Sequence, residues 1–456
     1  MAKTPKHTSI LFIGAGPTTI GACYRLRDLG ETDYFVIEQG DKFGGLSRSF
    51  VDEKGFTWDL GGHVQFSHYE EFDKAMDEAC KEEGWLEHQR ESWVWINQEF
   101  VPYPFQYNFQ LLDKATTDRC LKGLELRTLS ANPSNFKQWL SREFGEGLCD
   151  LFMYPYNFKV WAHPPELMNH EWISERVATI DMSRIKKNIE SKNLDVSWGP
   201  NATFRFPAQG GTGRIWENLG AKTIEDRVLF NTRVVSISAK FKIATLSDGS
   251  EITYDKLFST MPLDRLCHMI EDKELEQVKH STAKLPHSST HVIGFGIDGQ
   301  PPENLRGKCW MYFPQDNSPY YRVTLFSHYA PANVPRPGEQ YSLMVEVSES
   351  NHKKVGDDLI AECLNALIQD ELLLDSKRVI STWSTRLEYG YPVPGLERNA
   401  IVLPTHKSLQ PFDIYSRGRF GHWHYEVSNQ DHSFMQGHEW IDWVFNGKEE
   451  ETIWKK

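Results

Sequence analysis

The stretch Ser9-Ile10-Leu11-Phe12-Ile13-Gly14-Ala15-Gly16-Pro17-Thr18-Thr19 decides the fold. Ser9 to Ile13 reads as a short apolar strand. Gly14-Ala15-Gly16 turns it into a helix whose first amides, lacking intrahelical partners, suit a pyrophosphate. A second strand, Tyr34-Phe35-Val36-Ile37, ends at Glu38, 22 residues beyond Gly16. A carboxylate at that distance belongs on a ribose hydroxyl and favours a dinucleotide whose ribose carries no 2′-phosphate. The glycine fingerprint is imperfect, because Thr19 stands where its third glycine belongs and Gly21 follows.

Two glycine pairs come next, in Gly44-Gly45-Leu46-Ser47-Arg48 and Asp59-Leu60-Gly61-Gly62-His63. Each lets backbone approach a bulky ligand where a Cβ would clash. With the strand-turn-helix unit they favour FAD over NAD. Gly14, Gly16, Pro17, Thr18, Glu38, Gly45, Leu46, Gly61 and Gly62 are the cofactor candidates of this region.

At 456 residues, with 39% hydrophobic and 25% charged residues, the chain has room for two or three domains and a substantial core. Its net charge of −13 argues against nonspecific nucleic-acid binding, which needs a basic surface. No run approaches the roughly 18 apolar residues of a membrane span. Met1 to Lys6 lacks the apolar core of a signal peptide, so a cytoplasmic protein with no membrane partner is expected. Seven cysteines without a Cys-X-X-Cys pair form neither a disulfide framework nor a zinc pattern, and no metal is expected.

Periodicity organises the rest into an α/β fold with a discontinuous Rossmann-like FAD-binding domain. Its segments are 1–108, 201–271 and 406–456. A helical substrate or nucleotide domain is expected over 109–200, where Phe136, Trp139, Leu140, Phe144, Leu148 and Phe152 recur at helix spacing across 134–152. An antiparallel-sheet substrate domain is expected over 272–405, with strands at 291–297, 320–327 and 341–348. A helix is also expected over 70–84, and strands over 227–237, the last including Val234, and 242–246. Near the end, Arg419, Asn429, Gln430 and Ser433 lead into or lie in a helix whose start can meet a flavin. Strand alternation would send Tyr320, Arg322, Thr324 and Phe326 to one face. The aromatic cluster of Tyr103, Phe105, Tyr156 and Trp161, with Gln106 and Asn157, reads first as core and only second as a base-stacking site.

Six extended motifs carry a specific resemblance. They are Gly61-Gly62-His63-Val64-Gln65-Phe66-Ser67-His68-Tyr69, Val101-Pro102-Tyr103-Pro104-Phe105-Gln106, Pro155-Tyr156-Asn157-Phe158-Lys159-Val160-Trp161, Trp198 to Pro207, Lys308 to Pro314, and Arg419 to Met435. In order and nearly end to end, the chain resembles the eukaryotic-type UDP-galactopyranose mutases, fungal and protozoan-like.

The resemblance implies an isomerase that interconverts UDP-galactopyranose and UDP-galactofuranose on reduced FAD, through a covalent adduct between flavin N5 and the sugar. NADPH or another reductant would activate the flavin; no second dinucleotide fingerprint is present, so the donor would use the substrate chamber. It further implies catalytic roles for His63, Arg176 and Arg322, and diphosphate contacts from Tyr312, Tyr329, Tyr391, Tyr425 and Arg419. Tyr103, Phe105, Gln106, Tyr156, Asn157 and Trp161 would take the uracil end, and Val64, Phe66, Asn201, Trp310 and Asn429 would line the sugar chamber. Departures at Tyr154, Gln209 and Arg214 from the fungal pattern leave the homo-oligomer contacts open, and Tyr154 and Gln65 leave room for another sugar or another base. The alternatives are the same ring contraction on a different nucleotide sugar, an amine-oxidase or desaturase-like oxidoreductase, and a catalytically inactive flavin-binding protein.

Overall fold

Parallel pairing of His7–Ile13 with Tyr34–Ile37 on one side and Glu251–Ser259 on the other builds the expected nucleotide-fold core in the computed structural model. The structure describes residues 4–130, 132–173, 180–191, 194–196 and 202–454. Val228–Leu229 extends the parallel sheet beyond Tyr34–Ile37, and Ile414–Ser416 pairs in parallel with Glu251–Ser259. The antiparallel strands Val234–Ser238 and Ile243–Leu246 complete seven. Every residue of Tyr34–Ile37 is buried, as a strand covered on both faces requires.

Helix Pro17–Leu29 packs against helix Gln430–Asn446 at a close crossing. A methyl group on Gly21 would run into the Phe434 carbonyl, and one on Gly437 into the Thr18 carbonyl. The glycine missing from position 19 is thus replaced two residues later by one that serves helix–helix contact. Thr19 itself is fully buried.

The second seven-stranded sheet runs Val379–Pro392, His287–Asp298, Gln340–Glu349, Arg322–Leu325, Trp310–Tyr312, Ser92–Ile96, Glu99–Pro102. Its pairings are antiparallel except that of Trp310–Tyr312 with Ser92–Ile96. Residues 1–108 therefore contribute strands to both sheets. Trp58 and Phe56 press on Gly294 and Gly296 respectively, where an added Cβ would lie 2.5 and 2.6 Å from ring carbons. This contact joins the Asp59–Gly62 loop to the second sheet.

Several elements differ in extent from expectation. The first helix after the glycine loops is Glu70–Ala79, ending before the Lys81-Glu82-Glu83 run. The 134–152 periodicity resolves into helix Phe136–Leu148, a wide turn at Cys149–Met153 and helix Tyr154–Trp161. The strand expected over 320–327 is only Arg322–Leu325, and Tyr320 packs in a different cluster from Phe326. All seven cysteines are buried and free. Among the described residues, no helix is long and apolar enough to cross a membrane.

Candidate active site

The glycine turn adopts the conformation that demands glycine at Gly14, with φ +95°. Gly16 and Gly45 touch backbone to backbone: a Cβ on Gly45 would come within 3.2 Å of the Gly16 Cα. Glu38, 8% exposed, accepts from the Ala15 amide at 2.7 Å and the Gly40 amide at 2.6 Å. Its carboxylate pins the turn to the strand end and keeps lone pairs for a ribose. Pro17 occupies the first helical turn, Thr18 is buried against Gly418, and Leu46 is half-buried. Val234 is buried in its edge strand, and Gln430 Oε1 accepts from Trp216 Nε1 at 2.6 Å. Ser433 N donates to the Asn429 carbonyl at 2.8 Å, the first turn of the last long helix.

Gly61 and Gly62 face the second sheet. The Gly62 amide donates to Glu346 Oε1 at 3.0 Å, and a Cβ there would lie 3.1 Å from the Thr324 hydroxyl. Arg322 clasps Glu346 through Nε and Nη2, each at 2.7 Å, leaving Nη1 without a partner among the described residues. Burial opposes the charge on Arg322, but Glu346 raises its pKa well above the usual value. Burial likewise works against Glu346, and Arg322 more than offsets it. Burial pushes His63 down to about 4, helped by Arg322 and Arg419 and resisted by Glu346. Its Nδ1 is buried without a partner among the described residues. His63 is therefore a neutral imidazole with an unused polar atom.

From this pair a ring of phenols continues. Tyr321 donates to Glu346 Oε2 at 2.8 Å and lies 3.4 Å from the Tyr391 hydroxyl. Arg419 stands over both Tyr391 and Tyr425, 5.1 and 5.3 Å from their ring centres, and donates to Ser428 Oγ at 2.8 Å. Trp161 meets Tyr425 and Tyr391 edge-on at 4.9 and 5.5 Å. It thus closes the phenol side, away from the Tyr103–Phe105 turn.

A second group surrounds Tyr312, whose ring lies 5.3 Å from those of Tyr103 and Tyr156. Trp310 Nε1 donates to the Tyr312 hydroxyl at 2.6 Å, and the Tyr329 hydroxyl is buried with no partner among the described residues. Burial raises the pKa of Tyr156, Tyr329 and Tyr391, so all three stay protonated donors. Phe105 is fully buried under Phe152, which stacks on Tyr156 at 5.1 Å. It is a floor beneath the stacking ring. Gln106 is buried beside it, and Asn157 Nδ2 donates to the Met153 carbonyl at 2.8 Å. Val64 packs on the same cluster, whereas Phe66 turns toward His68 at 6.2 Å. Arg176 and Asn201 lie outside the described residues.

Glu346 and Tyr321 were given no site role from sequence, and Thr324 was placed only on the strand face of Arg322. The signal for Glu346 was available: it is the one charge inside the apolar stretch Tyr341-Ser342-Leu343-Met344-Val345-Glu346-Val347.

Residues 21–401 match the family of flavin containing amine oxidoreductases. A crystal structure of reduced UDP-galactopyranose mutase superposes with TM-score 0.95 and 48% identity, over 98% of this chain and 96% of that one. The chain belongs to the UDP-galactopyranose mutase family. More distantly, a CLA-producing fatty acid isomerase from P. acnes gives TM-score 0.65 at 15% identity, over 97% of this chain and 100% of that one. Putrescine oxidase bound to putrescine gives 0.62 at 14%, over 96% and 99%. These two share the fold.

Membership in this mutase family brings a flavin, and the residues fit one. The Gly14–Gly16 turn and Gly45 leave a cradle that side chains would fill. The unpaired His63 Nδ1 and Thr324 Oγ1 offer buried polar atoms beside the Gly61–Gly62 backbone.

Proposed function

We propose that the chain is an isomerase of eukaryotic, fungal and protozoan-like type that interconverts UDP-galactopyranose and UDP-galactofuranose. The observation that carries this reading is the arginine–phenol ring around Arg322, set against the glycine loop of a chain nearly half identical to a UDP-galactopyranose mutase. Reduced flavin supplies an electron-rich N5 nucleophile and FAD is the form expected.

Gly14, Gly16, Pro17, Thr18, Glu38, Gly45, Leu46, Gly61, Gly62, Val234, Arg419, Asn429, Gln430 and Ser433 would hold that cofactor. Arg322 answers the diphosphate through its uncommitted Nη1, while Glu346 cancels the remainder of its charge and keeps the chamber from becoming strongly cationic. Arg176 and Arg419 add the further positive charge. Tyr312, Tyr329, Tyr391 and Tyr425 donate to phosphate oxygens, with burial keeping Tyr329 and Tyr391 protonated. A flat uracil suits Tyr156 and Tyr103 on either side of Tyr312, with Gln106 and Asn157 at its edge and Trp161 shielding the diphosphate. His63, Val64 and Trp310 would enclose the sugar, a role that the family resemblance extends to Phe66 and Asn201. His63, neutral at pH 7, donates or accepts a hydrogen bond without adding charge. NADPH entering the same chamber is the proposed reductant, and the cytoplasm the proposed location.

The test is a panel of nucleotide sugars, UDP-galactofuranose among them, incubated with the FAD-loaded chain with and without dithionite and separated by chromatography. Conversion of UDP-galactofuranose in the reduced samples alone supports the reading. Conversion of another sugar in preference reassigns the substrate, and steady oxygen uptake without ring change rejects it.

A further inference from the structure

Helix Tyr154–Trp161 has a second charged face. While Tyr156, Asn157 and Trp161 serve the chamber, Lys159 on the same helix is 2% exposed. Its Nζ donates to the carbonyls of Gln315 and Ser318, both at 2.8 Å, and reaches the Ser318 hydroxyl at 3.5 Å. Lys353, also largely buried, donates to the Ser348 carbonyl at 2.7 Å. Both lysines line one cavity of about 160 Å³, with Ser318, Gly356 and Leu359. The carboxylates of Asp316 and Glu362 border it but are exposed. Among the described residues, neither ammonium forms an ion pair with a carboxylate, and every acceptor it has is a neutral oxygen.

Two largely buried ammonium groups on one cavity with no carboxylate in contact are physically costly, since lysine is almost never buried unless paired and like charges worsen the penalty; Asp316 acts on both only at longer range, with Asp370 on Lys159 and Glu349 on Lys353. Burial first, and Lys353 second, push Lys159 down to about 7. A bound anion would reverse both effects. The volume suits an ion of a few atoms and excludes a nucleotide.

We propose that this cavity is a binding site for a small phosphate-class oxyanion, held by Lys159, Lys353 and the Ser318 hydroxyl, and lined by none of the chamber residues. The site is separate from the diphosphate contacts and does not depend on which sugar the chain converts.

The experiment is thermal melting of the full FAD-loaded chain with UDP present throughout to occupy the chamber, inorganic phosphate replacing chloride at constant ionic strength. Ligand that binds only the folded state raises the melting temperature, here by about 2 °C or more at saturation. Phosphate also stabilises proteins by exclusion from their surface, and that part is the same in a variant. Lys353→Gln is expected to lose the specific part of the shift while keeping the wild-type melting temperature in chloride within a few degrees. Lys159→Met is the second variant; if it fails to fold, Lys353→Gln decides. An equal phosphate shift in wild type and Lys353→Gln, or no shift in wild type, overturns the proposal.

Discussion

Arg322 and Glu346 stand directly opposite each other in neighbouring antiparallel strands, and the guanidinium holds both carboxylate oxygens at 2.7 Å. Glu346 is 3% exposed, and the same carboxylate takes the Gly62 amide and the Tyr321 hydroxyl. One buried acid therefore ties together the Gly61–Gly62 loop, the phenol ring and the arginine proposed to face the diphosphate.

Removing that arginine exposes the chain to more than a loss of substrate contact. Arg322→Ala leaves Glu346 buried and unpaired, which costs on the order of 3–5 kcal/mol of stability. Arg322→Lys keeps the charge but not the two-point grip, so a smaller stability loss with a large fall in kcat/KM is expected. Denaturant melts and steady-state kinetics on both variants check this. Full stability in Arg322→Ala would show that the ion pair is not the anchor.

Gly45 has φ +53°, and a methyl there would press on the Gly16 Cα at 3.2 Å. Gly45→Ala is expected to retain the fold at a cost of about 1 kcal/mol while releasing flavin. The ratio of bound flavin to protein after gel filtration reads this out, and an unchanged ratio counts against the assigned cradle.

His63 gives a pH signature. Its folded value of about 4 lies below the ordinary 6.5, so the unfolded chain takes up this proton first as the medium is acidified. The stability it allows is full above about pH 6.5 and is lost between there and pH 4, by about 3 kcal/mol. Asp59, pushed up to about 7 by burial, works in the opposite direction over much of that window. The readout is therefore the difference between wild type and His63→Asn, whose melting temperature should fall less on acidification. An identical slope would contradict the buried neutral imidazole.

Tyr156 lies 5.3 Å from the Tyr312 ring and stacks on Phe152. Tyr156→Ala should raise KM for the nucleotide sugar roughly tenfold, with a smaller change in kcat, since the ring serves the ground state and the transition state alike. A purely kcat effect would move Tyr156 away from base recognition.

The parallel core was legible because Ser9 to Glu38 states a strand, a turn, a helix and a strand in local chemistry alone. The aromatic motifs were legible as a set, yet their division was not. Phe105 became a buried floor and Trp161 joined Tyr391 and Tyr425, because which face a ring presents depends on helix and strand partners far away in sequence. Glu346 was hidden for the same reason, since its meaning lies in a register with Arg322. Tyr320 and Arg322 do not share a face because regular strand begins only at Arg322, and alternation holds only within it. The helix expected to run from 134 to 152 breaks at Gly145, whose φ of +66° is non-helical, and its apolar repeat then continues through the widened turn at Cys149–Met153.

The central claim is that the flavin acts without net oxidation or reduction. The direct measurement is an anaerobic reaction of the chain, its flavin chemically reduced and excess reductant removed, with a large molar excess of UDP-galactofuranose. Flavin absorbance and product are followed together. The account predicts many molecules of UDP-galactopyranose per flavin with the reduced spectrum preserved; product limited to one per flavin, or formed only as the flavin becomes oxidised, would contradict it.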